Sequence, residues 1–69
     1  MITEIGIAAG DIWHYLDQSG SATLDQLTRS IGKPRELLLM SLGWLAREGH
    51  VTLGNPDTGY RASLTEPRG

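Results

Sequence analysis

The sequence predicts a mainly α fold closed by a small β-hairpin, and three features predict it. Apolar residues recur at helical spacing in three separate stretches, each ended by a glycine where a helix takes a left-handed residue. After Gly49 the pattern changes to period-two alternation, interrupted by a run of turn formers. Size is the third feature: 69 residues with 39% hydrophobic side chains supply one core and no second domain.

The first helix is expected from Thr3, a suitable N-cap, with Glu4 placed where the helix dipole favours an acid. Ile5, Ala8, Ala9, Ile12 and Leu16 form its core stripe, and Ser19-Gly20 ends it. A second stripe of Ile2, Gly6, Ala9 and Trp13 lies beside the first, so this helix is apolar over more of its circumference than a surface helix needs. Ser21-Ala22-Thr23 is a short extended segment. Thr23 followed by Gln26 is a capping box that opens a second helix, with Leu24, Leu27 and Ile31 inward and Gly32 at its end. Only about two turns long, that helix depends on its neighbours for stability.

Lys33-Pro34 restarts the chain, with Pro34 suited to a first helical position. The third helix is expected to run to about Glu48, stopped by Gly49, with Leu38, Leu42 and Leu45 as its core stripe. Val51-Thr52-Leu53 and Tyr60-Arg61-Ala62-Ser63-Leu64 alternate as strands, the second placing Tyr60, Ala62 and Leu64 on one face. Gly54 to Gly59 between them is a turn. Helix, extended segment, short helix, tight turn, longer helix and hairpin is the order of a winged helix-turn-helix, three helices plus a wing. Residues 1–64 make up that domain, and 65–69 form a flexible C-terminal tail.

The chain also resembles a family of small, largely uncharacterised prokaryotic winged-helix proteins. The resemblance is carried by Ile5-Gly6-x-x-Ala9-Gly10-x-Ile12-Trp13 in helix one and by Leu42-Gly43-Trp44-Leu45-Ala46-Arg47-Glu48-Gly49 closing helix three, and it extends over about residues 2 to 64. It implies a winged-helix fold and a nucleic-acid-binding or regulatory role, and it brings no ligand with it.

Composition excludes several functions. With no Cys there is neither a disulfide nor a thiolate zinc site, and two His alone do not make a structural metal site, so no metal and no cofactor are expected. No basic start precedes an apolar run at the N-terminus, and the longest apolar stretch, Leu37 to Ala46, is about half of a bilayer span. A soluble cytoplasmic domain without membrane contact is expected. Enzymatic activity is not: His14 and His50 have no triad pattern around them, and Gly54 to Gly59 lacks the Lys-Ser/Thr of a phosphate loop.

Two binding functions remain open. A helix turns about 100° per residue, so the face of helix three opposite Leu38, Leu42 and Leu45 carries Glu36, Met40, Gly43 and Arg47, with Lys33 at its edge and Arg35 to the side. Lys33, Arg35, Arg47 and the wing residue Arg61 are the candidates for double-stranded DNA. Glu36 and Asp57 oppose them, and the net charge of −2 is low for a DNA-binding domain. The alternative is contact with protein, either a separate partner or a second copy. Gly6-x-x-x-Gly10 would admit a close helix, and Trp13, Leu37, Leu39, Met40 and Trp44 supply apolar surface. Either both tryptophans complete the monomer core or they anchor a homodimer through helix one or the Trp44 side of helix three. A homodimer is expected, because a chain this short without cross-links gains burial from a partner.

Overall fold

A computed structural model describes residues 2–54 and 61–65. Its elements follow in the order α1 (Ile2–Ser19), β1 (Ser21–Thr23), α2 (Leu24–Ile31), α3 (Arg35–Arg47), β2 (Val51–Leu53) and β3 (Arg61–Leu64). The three strands form one antiparallel sheet in the order β1-β3-β2. The extended segment after α1 is therefore a strand, and the wing hairpin of β2 and β3 belongs to a three-stranded sheet where the sequence indicated two strands. Ala22 faces Ala62 across β1 and β3, and Val51 faces Leu64 across β2 and β3. Tyr60, the turn residues 55–59 including Asp57, and the tail from 66 onward lie outside the described residues.

Helix ends follow the local chemistry closely. Gly20, Gly32 and Gly49 all take positive φ, a region where a Cβ would clash with the backbone. At the end of α3 the amide of Gly49 donates to the Ala46 carbonyl at 3.1 Å and that of His50 to the Leu45 carbonyl at 2.9 Å. These two bonds make a Schellman motif, which satisfies carbonyls the helix would otherwise leave open. Two starts differ from expectation. α1 already includes Ile2 and Thr3, so Thr3 lies within the first turn and not at the N-cap; the first four amides of a helix have no intrahelical partner to lose by such a start. Pro34 is the N-cap of α3 and not its first helical residue: its ψ of 141° is extended, while its carbonyl already accepts from Leu38 at 3.1 Å.

The capping box of α2 is complete. Thr23 Oγ1 accepts from the Gln26 amide at 3.1 Å, and Gln26 Oε1 accepts from the Thr23 amide at 2.8 Å. For an eight-residue helix this is a large share of its local stability. Thr23→Ala should lower stability by about 1 kcal/mol, which for a domain of this size is a fall in Tm of roughly 4–8 °C. Thermal unfolding followed by circular dichroism checks it, and an unchanged Tm would contradict the role given to this cap.

The core gathers every element. Ala8, Ala9, Ile12 and Leu16 of α1 meet Leu24 and Leu27 of α2, Leu38, Leu42 and Leu45 of α3, and Ala22, Val51 and Ala62 of the sheet. Alanines at the helix-one and strand positions let backbones approach closely, which is how so short a chain reaches full burial. Ile5, Ile31 and Leu64 are only half-buried, at the margins of their stripes. Ser41 is fully buried among the apolar residues of α3, and its hydroxyl lies 2.8 Å from the Leu37 carbonyl and 3.3 Å from that of Ile5. It thereby links α3 to α1 without leaving a polar atom unsatisfied.

Candidate nucleic-acid interface

α2, the turn around Gly32 and α3 form a helix-turn-helix unit. Leu38, Leu42 and Leu45 hold α3 down, so its opposite face projects away from the molecule. Glu36, Met40, Gly43 and Arg47 all lie on that exposed face. Leu39 flanks them on one side at 40% exposure and Trp44 on the other at 47%. The surface is thus an apolar centre with an acid at its N-terminal end and a cation at its C-terminal end.

The four cations expected to meet DNA are not equivalent. Lys33 Nζ lies 3.6 Å from Asp11 Oδ2 of α1, and Arg35 Nη1 donates to Asp25 Oδ1 of α2 at 3.0 Å. Both pairs are partly exposed, so each contributes at most about 1 kcal/mol and can be exchanged for a phosphate. Arg61, on the central strand β3, donates from Nη1 to Ser21 Oγ at 3.2 Å. Arg47 has no ion pair among the described residues and is exposed. Arg29, exposed in the last turn of α2, is a further cation of this unit that the sequence reading passed over. Its place in the last turn of α2, three residues before Gly32, was the available signal.

The residues expected at a protein interface separate as well. Leu37 is packed against the core and half-buried, so it contributes to the monomer more than to any surface. Gly6 and Gly10 are exposed, and a Cβ at either would meet nothing within 4 Å. They therefore do not make room for side chains of α3. Both border a shallow groove of about 290 Å³ between α1 and α3, together with half-buried Trp13 and with Trp44. His14 is occupied with Gln18 at 3.4 Å on the outer face of α1. Among the described residues no group of three or more His, Cys, Asp and Glu side chains could hold a metal ion. No described helix is long and apolar enough to cross a membrane.

A helix-turn-helix with its second helix outward and a wing hairpin beside it agrees with the family model that the chain matches over residues 1–61, described as a winged helix-turn-helix domain, DUF2582. The chain belongs to this winged helix-turn-helix family. No functionally curated protein is similar enough to match. Among solved structures it is similar to the solution NMR structure of protein BT2368 from Bacteroides thetaiotaomicron, with 26% identity and a TM-score of 0.78. That similarity covers 90% of this chain and 76% of the other. For the winged helix-turn-helix domain, α3 therefore has the position of a recognition helix, and β2 and β3 are the strands of its wing.

Proposed function

We propose that this domain binds duplex DNA as a module of transcription-regulator type, with α3 offered to the major groove and the wing to the flanking backbone. The observation that carries the reading is the outward face of α3, which no other described element covers and which ends in Arg47, exposed and without an ion pair among the described residues. An α-helix fits the major groove, and an arginine on its outer face can reach a guanine edge or a phosphate. Lys33, Arg35 and Arg61 lie on the same helix-turn-helix and wing, where they add phosphate contacts once their present partners are exchanged.

Four cations opposed by Glu36 support only weak and salt-sensitive binding. Four phosphate contacts correspond to a slope of about −3.6 in log K against log salt, and the affinity belongs in the nonspecific range, about 10⁻⁴–10⁻⁶ M at physiological salt. Arg47→Ala should weaken duplex binding and make that slope shallower by about 0.9. Fluorescence anisotropy with a labelled duplex over a series of salt concentrations measures both. Absence of binding at low salt, where electrostatic attraction is greatest, would rule out the duplex reading.

A second reading, contact with protein through the same face, is favoured by one observation. Leu39, Met40 and Trp44 expose apolar surface on α3 where a base-reading helix usually carries hydrogen-bonding side chains.

A further inference from the structure

We propose that the outer face of α3 pairs with the same face of a second copy, antiparallel and two-fold symmetric, and that this pairing masks the surface offered to duplex DNA. The masking half rests on the duplex-binding reading above; the pairing half stands without it. Leu39, Met40 and Trp44 are half of the large hydrophobic side chains exposed on the described surface, which includes Ile2, Ile7 and Leu53 besides. They are gathered on one helix, whereas the others are spread over α1 and β2.

The charges at the two ends of the face identify the occupant. Glu36 and Arg47 are separated by about three full turns, so they lie in line on α3, about 16 Å apart along its axis. Both are exposed and neither has an ion-pair partner among the described residues. A two-fold axis through the middle of that interval, between Ser41 and Leu42, sets Glu36 of each copy against Arg47 of the other. In an isologous interface one such match occurs twice. A parallel pairing would instead oppose Glu36 to Glu36 and Arg47 to Arg47, which like charges disfavour.

The centre of the face is also self-complementary. Met40 and Gly43 flank the axis, and the position of a Cβ at Gly43 is open space. With no side chain there, the two helices can approach closely. On one side of the seam Trp44 meets Met40 of the second copy, a sulfur–aromatic contact; on the other, Leu39 lies over Gly43 of the second copy. α3 has 13 residues, or about 20 Å of helix, so the seam falls short of the roughly 800 Å² per partner of a standard interface. The dimer is accordingly one that dissociates on dilution.

Sedimentation of the full chain from micromolar to millimolar concentration tests the pairing. The expected result is a rise from the 7.5 kDa monomer toward twice that mass. Glu36→Lys and Arg47→Glu, each alone, should abolish the rise by placing like charges at both ends of the seam. Mixed with each other the two variants should dimerise again, because every end then has opposite charges. That rescue also shows that both variants are folded. A wild-type chain that stays monomeric at millimolar concentration, or single variants that associate as the wild type does, would overturn the pairing. So would a mixture that fails to associate. Masking is tested by adding excess short duplex to the wild-type dimer, which should convert it to complexes of one chain bound through α3. An intact dimer carried on the duplex overturns masking. If the dimer forms and neither wild type nor variant binds duplex, masking and the duplex reading fail while the pairing holds. Duplex binding by a chain that never dimerises has the opposite consequence.

Discussion

Leu38→Ala is expected to destabilise the domain by about 2–5 kcal/mol. Leu38 has no exposed surface and is among the largest fully buried side chains. It points from α3 into the centre of the core, where α1 and α2 also contribute. The neighbouring backbone is held by hydrogen bonds of α3, so a cavity there collapses only partly. A domain of 69 residues has a total stability of about 3–10 kcal/mol. One methyl-rich side chain is thus a large part of the margin. At roughly 4–8 °C per kcal/mol, the fall in Tm is at least about 8 °C. Leu39→Ala is the control, because Leu39 is 40% exposed one residue further along the same helix. Equal shifts for the two variants in thermal unfolding would contradict the orientation of α3 described above.

Ala22→Asp should be comparably severe, for a different reason. Ala22 is fully buried and sits opposite Ala62 in the pairing of β1 with β3. Were the segment after α1 a free linker, an aspartate there would be solvated and nearly neutral in effect. In the sheet it places a carboxylate in the core, at a penalty of several kcal/mol. Burial raises the folded-state pKa of such a group above its unfolded value. Between those two values the folded chain binds more protons than the unfolded one, so stability falls as pH rises. The destabilisation relative to the wild type should therefore shrink toward acid pH and be largest at neutral pH. Denaturant titrations of both chains at several pH values measure it. A penalty that does not vary with pH would mean that the carboxylate has escaped to solvent and that β1 is not held as described.

The outer face of α3 was legible from periodicity alone. Glu36, Met40, Gly43 and Arg47 are spaced so that a core stripe of Leu38, Leu42 and Leu45 leaves them outward, and all of them are exposed. What periodicity did not disclose is that Lys33 and Arg35 are paired with Asp11 and Asp25. Those acids belong to other helices, and no spacing rule within α3 refers to them. Ser41 lies between the two cases. Its position falls on the buried arc of the helix, but the Ile5 carbonyl that helps to accommodate its hydroxyl lies on α1.

The C-terminal ends of the helices, the capping box at Thr23 and Gln26, and the three glycines with positive φ were determined by the sequence itself, because each depends on atoms within about five residues of one another. The joining of β1 to β3 was decided only by the tertiary structure. Ser21 pairs with Ser63 after the whole helix-turn-helix has intervened. A three-residue segment has too short an alternation to announce a strand, and its hydrogen-bonding partner is fixed only once α1 and α3 have docked and brought residues 21–23 beside β3.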